Sequence, residues 1–446
     1  MELFKKKVAE RCAEKGITEY EIYYQLGEST SVSVYQQEIN QFTSSVDGGV
    51  CFRCVVNGRM GYASTESLDS AQAAELVDRA ADNAAVLECD DPVILGEGGQ
   101  RYEPLERKLY DLPTTEALID AALDIQRAVY AANSKVVDGT TSQCISEKNQ
   151  IGIWNSKGLD LSYVNQIAGA VVAAVVSDGT AMANDAKIRL GELSKIDKAS
   201  LVQDAVQGAL EKLGGEVAPT GVYPVVFSPK AMSELLKTFS GVFSAEAAQK
   251  GLSALADKEG QTIATPLLTI MDDPFHPENP MPMPFDAEGS PTHKKAVVEG
   301  GILRTLLHNL KTANKAGVQT TGNAAKSGYK APIGVRPFTM YIAAGFSSVE
   351  ALMCQAGEGI YIDALHGTHA GTDSVSGDFS IQSTGYLIQD GKRTSRIKGF
   401  TVAGNFYEML KKITAVADDV ELPMALGLTA FGSPTVLVDG LSIAGK

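Results

Sequence analysis

The sequence is short of positive charge: 39 Lys and Arg stand against 54 Asp and Glu, a formal net charge of −15. That balance argues against nucleic acid as the main partner, because phosphate recognition needs a basic surface or stripe. The longest basic run is Lys5–Lys7, on what reads as an amphipathic helix. Long apolar runs are also missing. The most apolar stretch, Ile167–Val176, is ten residues long and cannot span a bilayer. The opening MELFKKKVAERCAEKG carries charge where a secretory leader would be apolar. Cysteine is scarce, with six scattered at positions 12, 51, 54, 89, 144 and 354. That usage fits a reduced compartment better than a disulfide framework, so a cytoplasmic, membrane-free protein is expected. Several catalytic signatures are absent: there is no P-loop, no G-x-G-x-x-G, no H-E-x-x-H and no G-x-S-x-G elbow.

At 446 residues, with 44% hydrophobic and 21% charged residues, the chain has enough apolar material for two or three domains. A helix is expected over 2–16. Strands follow near 20–27, 31–40, 49–56 and 59–64, with a hairpin at Asn57-Gly58, where both residues tolerate positive φ. A helix from Ser64 to about Val86 closes this N-terminal α+β domain, placed at 1–95. A central α+β domain at 108–215 has helices near 115–134 and 198–213 around strands at 136–146, 150–155, 160–164 and 167–177. The third region, 221–446, reads as a larger, mainly-β domain with a few helices. One of these opens at Pro229, a favoured first-turn residue. Met232, Leu235, Leu236, Phe239, Val242 and Phe243 recur at helical spacing and mark its buried face. The segment 274–291 carries six prolines and is expected to be a long irregular loop. The fold class is therefore α+β, with antiparallel sheet in the N-terminal part.

Residues 360–392 hold the densest set of chemically useful side chains. His366, Gly367, His369, Asp373, Gly377 and Asp378 lie between two strand-like runs, IYIDAL and FSIQSTGYLI, and Ser380 is the second residue of the latter. His366 and His369 could bind a metal if Asp363 or Asp378 joined them, but on a loop their spacing alone fixes no geometry. Asp286 and Glu288 in PFDAEG are two residues apart and could form an acid/base pair, although such pairs more often cap turns. His276 and His293 flank that segment, and His308 in LRTLLHNLKTA reads as a structural histidine inside a strand or helix. Cys51-Phe52-Arg53-Cys54 lies on a predicted strand, where residues three apart point to opposite faces, so its thiols cannot share one metal.

The order of segments resembles the TldD/PmbA family, historically called modulators of DNA gyrase. The resemblance rests on GGVCFRCVVNGRMGYASTES at 48–67, VFSPKAMSELLKTFSGVFSAEAAQKGLSAL at 226–255 and MDDP at 271–274. It continues through PFDAEGSPTHKKAVVEGGILRTLLHNLKTANKAGVQTTGNA at 284–324, the 360–392 stretch, KGFTVAGNFYEMLKKI at 398–413 and SPTVLVDG at 433–440. One branch of that family looks like a zinc metallopeptidase, with H-E-x-x-x-H on a helix and a cysteine near the C-terminus. The other, PmbA (also called TldE), lacks those ligands. The helix motif L-L-H-E-x-x-G-H aligns without gaps on 235–242. There Lys237 and Val242 take the histidine positions and Thr238 takes the glutamate position. The region DDVELPMALGLTAFGSPT has no cysteine.

This resemblance to the PmbA/TldE branch implies a subunit with no metal and no cofactor of its own. Zinc is expected on a TldD-like partner subunit, and unfolded or precursor peptides are the expected substrates. The 360–392 residues, together with Asp286 and Glu288, become candidates for substrate or interface contact. A homodimer is a further candidate assembly of this chain. A self-sufficient hydrolase built on His366 and His369 is the alternative reading.

Overall fold

The structure is a computed structural model and describes residues 1–86, 93–105, 109–424 and 429–445. Its contacts divide the chain into two compact units. The first comprises 1–213 with two later segments, 280–291 and 326–333; the second comprises 214–279, 292–325 and 334–446.

In the first unit, α1 (Glu2–Glu14) precedes three strands, β1 (Tyr20–Tyr35), β2 (Glu38–Val56) and β3 (Arg59–Thr65), and then α2 (Gln72–Val86). Next come α3 (Thr115–Ala132), β4 (Thr141–Asn155), β5 (Asp160–Ser177), β6 (Met182–Leu190) and α4 (Lys198–Glu211). The strands form one antiparallel sheet in the order β3-β2-β1-β4-β5-β6. This sheet runs through both regions that the sequence reading separates at 95 and 108.

Two cores sit at different places along the same strands. Ile22 and Tyr24 of β1 pack with α1 and α2, whereas Val32 and Val34 of the same strand pack with α3 and α4. The expected strand at 20–27 and the first part of that at 31–40 are thus one strand, which ends in a tight turn at Gln36 and Gln37 with φ of 49° and 63°, and residues 38–40 already belong to β2. Asn57 and Gly58 form the expected hairpin turn, with φ of 53° and 76°. The helix expected from Ser64 begins later, at Gln72, because β3 runs to Thr65. The 280–291 segment joins this unit through Phe285, which meets Tyr163 edge-on at 5.0 Å beside Ile153 and Leu159.

The second unit is mainly β. It begins with β7 (Glu216–Val217), β8 (Gly221–Phe227), α5 (Pro229–Phe239), α6 (Ala245–Gln249), β9 (Ile270–Asp272), β10 (Lys295–Glu299) and β11 (Ile302–Leu303). It continues with α7 (Leu310–Ala316), β12 (Ala324–Ala325), β13 (Gly334–Val335), β14 (Thr339–Ile342), α8 (Val349–Ala356) and β15 (Gly359–His366). The remainder is β16 (Asp378–Gln389), β17 (Lys392–Asn405), α9 (Phe406–Lys411), β18 (Ile413–Val416), β19 (Glu421–Met424), β20 (Ala430–Ser433) and β21 (Val436–Ala444). A seven-stranded sheet runs β18-β21-β8-β15-β16-β17-β7, and a six-stranded one runs β11-β10-β9-β14-β20-β19.

Helix α5 touches β8 and β15 of the first sheet and β19 and β20 of the second. Its apolar stripe is fully buried, and Phe239 stacks on Phe406 with ring centroids 4.5 Å apart. His308 is not inside a regular element. It precedes Asn309, the N-cap of α7, whose side chain accepts from Thr312 in a capping box.

Asp272 is fully buried at the end of β9 and ties four segments together. Its carboxylate accepts from Lys295 Nζ at 3.2 Å, Asn323 Nδ2 at 2.7 Å, and the backbone N–H groups of Phe338 and Thr339 at 2.8 and 3.0 Å. Removing it leaves a buried ammonium and three donors without their acceptor. Asp272→Ala should therefore cost about 3 kcal/mol or more of unfolding free energy, read by urea denaturation.

Burial pushes the pKa of His308 below its ordinary 6.5, and burial does the same to His276 against the opposing pull of Asp273 and Glu278. The unfolded chain therefore takes up these protons more readily than the folded one. Stability from the neutral rings is full above pH 6.5 and is lost as pH falls through the folded values. Denaturation measured from pH 8 to 5 should show that decline, and His308→Gln should flatten it.

Candidate functional site

The helix that carries the degenerate motif is well specified locally. Ser228 caps it by accepting from the Ala231 N–H at 3.2 Å, Pro229 occupies the first turn, and the chain tightens into a 3-10 turn at Ser240–Phe243. With the apolar stripe held in the core, the opposite stripe at 230, 233, 234 and 237 is fixed by i, i+3 and i, i+4 spacing. Those four residues line a cavity of about 470 Å³, which Leu365 of β15, Pro423 of β19, Thr429 and Phe431 of β20 complete.

The lining is charged on one wall and largely apolar on the other. Lys237 Nζ lies 3.3 Å from Glu234 Oε2, with 53% of the lysine side chain exposed. Thr368 donates to Glu234 Oε1 at 3.4 Å. Ser233 is only 5% exposed, and its buried Oγ has no hydrogen-bond partner. Sequence reasoning singled out Lys237 but missed Lys230, Ser233 and Glu234. Their signal was present as the polar complement of the apolar stripe over 229–239.

The three motif positions point to different places. Lys237 faces the cavity, Thr238 Oγ1 donates to the Glu234 carbonyl at 2.7 Å, and Val242 is 1% exposed in the hydrophobic core. This donor set does not fit zinc. An ammonium repels a divalent cation, the valine has no lone pair, and the threonine hydroxyl is turned onto its own helix. Among the described residues, no group of three or more His, Cys, Asp or Glu is placed to hold a metal ion.

The 360–392 residues have mostly local roles. His366 ends β15 and His369 lies on the following turn, both exposed. Gly367 supplies a φ of 67° there. Asp363 is engaged by Arg396 Nη1 at 2.9 Å and Thr384 Oγ1 at 2.6 Å. Asp373 caps its turn by accepting from the N–H groups of Val375 and Ser376, and the Gly377 N–H donates to its carbonyl. Asp378 accepts from Asn405 Nδ2 at 2.8 Å and Ser376 Oγ at 3.1 Å. Gly377 has a φ of 84°, and a Cβ there would strike the Tyr407 ring. The Ser380 N–H donates to Gly371, closing the loop.

Asp286 and Glu288 belong to the other compact unit. Asp286 Oδ1 accepts from the Glu288 and Ser290 N–H groups at 2.9 Å each, the geometry of a capped turn. The two cysteines of the 51–54 stretch are both buried. Cys54 packs in the α1/α2 core with its thiol pushed up to about 11 by burial, and burial also raises Cys51.

Three family models cover most of the chain. Residues 20–84 match the PmbA/TldA metallopeptidase domain 1, 109–213 the central domain and 220–445 the C-terminal domain. A metalloprotease TldD homolog from Haemophilus influenzae is 31% identical over 254 residues, covering 54% of this chain and 52% of that protein. The chain thus spans about half the length of that relative. A metalloprotease PmbA homolog from the same organism is 24% identical over 93% of this chain and 90% of its own length. Among solved structures, a Thermotoga maritima protein described as a modulator of DNA gyrase superposes with a TM-score of 0.89 and 28% identity, covering 99% of this chain and all of its own. TldE from Thermococcus kodakarensis shares the fold with a TM-score of 0.87 and 24% identity, covering 98% of this chain and 100% of its own. The chain belongs to the PmbA/TldD metallopeptidase family.

Proposed function

We propose that this chain is the non-catalytic, metal-free subunit of a PmbA/TldD-type cytoplasmic peptidase, working with a TldD-like subunit on unfolded or precursor peptides. The observation that carries this reading is the set of side chains at 237, 238 and 242. In this chain they are an ammonium, a hydroxyl bound to its own helix and a core valine. Rebuilding a zinc site would require changing all three and drawing position 242 out of the core. The PmbA homolog and TldE, similar over nearly the whole chain, support placement in that branch. Among the described residues, no helix is long and apolar enough to cross a membrane.

A peptidase assay on an unstructured peptide tests the reading. The isolated chain should give no cleavage, and adding a TldD-like partner should produce chelator-sensitive cleavage. Cleavage by the isolated chain that disappears in the His366→Ala, His369→Ala double variant would overturn the proposal and favour a hydrolase of its own.

A further inference from the structure

We propose that the open edge of β2 at 38–47 takes up an extended peptide as an added strand, one that carries apolar side chains on one face and basic side chains on the other. This edge belongs to the sheet of the first unit, and its ligand goes beyond the proposed subunit role.

The open edge follows from the pairing. On one side β2 pairs with β1 from Glu38 to Cys54, whereas on the other side β3 covers only Val50–Val56. Among the described residues no strand pairs with 38–47 on that second side, so every other residue there turns its N–H and C=O outward. Gln41–Asp47 keep an unbroken register with β1, and the one irregularity leaves Asn40 unmatched beside the turn. Sheet edges are ordinarily blunted by lysine, proline or a covering segment. Here the stretch reads EINQFTSSVD, with neither lysine nor proline, and Glu38–Ser44, Val46 and Asp47 are exposed.

The two faces of the strand set the chemistry of the ligand. Ile39 stands opposite Val34 of β1, and Phe42 opposite Val32. Val32 and Val34 belong to the core under α3 and α4. By the alternation of a strand, Ile39, Phe42 and Val46 therefore extend that apolar face to the open edge, where they are 46%, 48% and 85% exposed. The opposite face carries Glu38, Gln41, Thr43, Ser45 and Asp47. Its charge is all of one sign, and no Lys or Arg occurs between Lys15 and Arg53.

An added strand gains affinity from main-chain hydrogen bonds and selectivity from its alternating side chains. At this edge the favoured neighbours are valine, leucine or an aromatic beside Ile39, Phe42 and Val46, and lysine or arginine beside Glu38 and Asp47. A second copy of this chain fits less well, because its β2 would bring further carboxylates to the acidic face and no cation. At about 3.3 Å per residue, a peptide of roughly nine or ten residues spans the edge.

Fluorescence anisotropy on the full isolated chain tests the assignment. The probe is a fluorescein-labelled nonapeptide of alternating valine and lysine. One control replaces lysine by glutamate. The other keeps every side chain but is N-methylated at each internal residue, which removes the donors of a strand ladder while retaining the charge. The unmodified valine–lysine peptide should bind about tenfold or more tightly than either control. Thr43→Lys places a cation on the acidic face, and Phe42→Ala removes an apolar neighbour. Both residues are exposed, so the melting temperature should hold while each substitution weakens binding about three- to tenfold. No binding by the unaltered protein, or equal binding of either control peptide, would overturn the proposal whatever the variants do. Affinity unchanged by both substitutions would also overturn it. So would a dimer in sedimentation velocity that Thr43→Lys converts to monomer, which would assign the edge to a second copy. Neither zinc nor a partner subunit enters these measurements, so this proposal and the subunit reading fail separately.

Discussion

The second unit is organised by the burial of one face of α5. The helix lies between two sheets, and Met232, Leu235, Leu236, Phe239, Val242 and Phe243 are removed from water almost completely. Each such side chain contributes roughly 1.5–3 kcal/mol on burial, so the stripe outweighs any other influence on how the helix is rotated. The Phe239–Phe406 stack pins that rotation from the α9 side. With one face committed, the direction of every polar residue on the helix follows. Lys230, Ser233, Glu234 and Lys237 face the cavity because they have no other side to occupy.

The same constraint separates the aligned metal-ligand positions. A histidine at 242 would lie at the end of the helix, where the 3-10 turn carries the chain into the core. Here valine fills that place as a packing residue, and its burial with Phe243 extends the apolar stripe beyond the helix. Helix α5 thus packs by its apolar face between the two sheets, and its polar residues at 230, 233, 234 and 237 line a cavity whose other wall is largely apolar.

Much of this was legible in the sequence wherever a local pattern carried the information. The apolar spacing over 232–243 marked the buried face, Pro229 the helix start, and Asn57-Gly58 the hairpin. Other features were not local. The Gln36-Gln37 turn lacks the usual glycine or asparagine, and the polar stretch between Ile22 and Val32 hid the continuity of β1. No pattern in 280–291 shows that Phe285 packs against Tyr163 more than a hundred residues earlier. The histidines at 366 and 369 attracted attention by residue type, yet the neighbouring carboxylates are committed to turns and to Arg396. Ser233 went unnoticed because a lone serine in a helix carries no signal until its missing hydrogen-bond partner is seen.

We infer that the side chains at 237, 238 and 242 leave this chain without catalytic zinc, and elemental analysis of the isolated protein tests that inference most directly. The protein, purified without chelator and equilibrated with zinc, is desalted and measured by plasma mass spectrometry beside a TldD-like partner. Zinc far below stoichiometric is expected on this chain, with no change in its melting temperature on treatment with a chelator. About one tightly held zinc per chain, lost to chelator together with thermal stability, would contradict it.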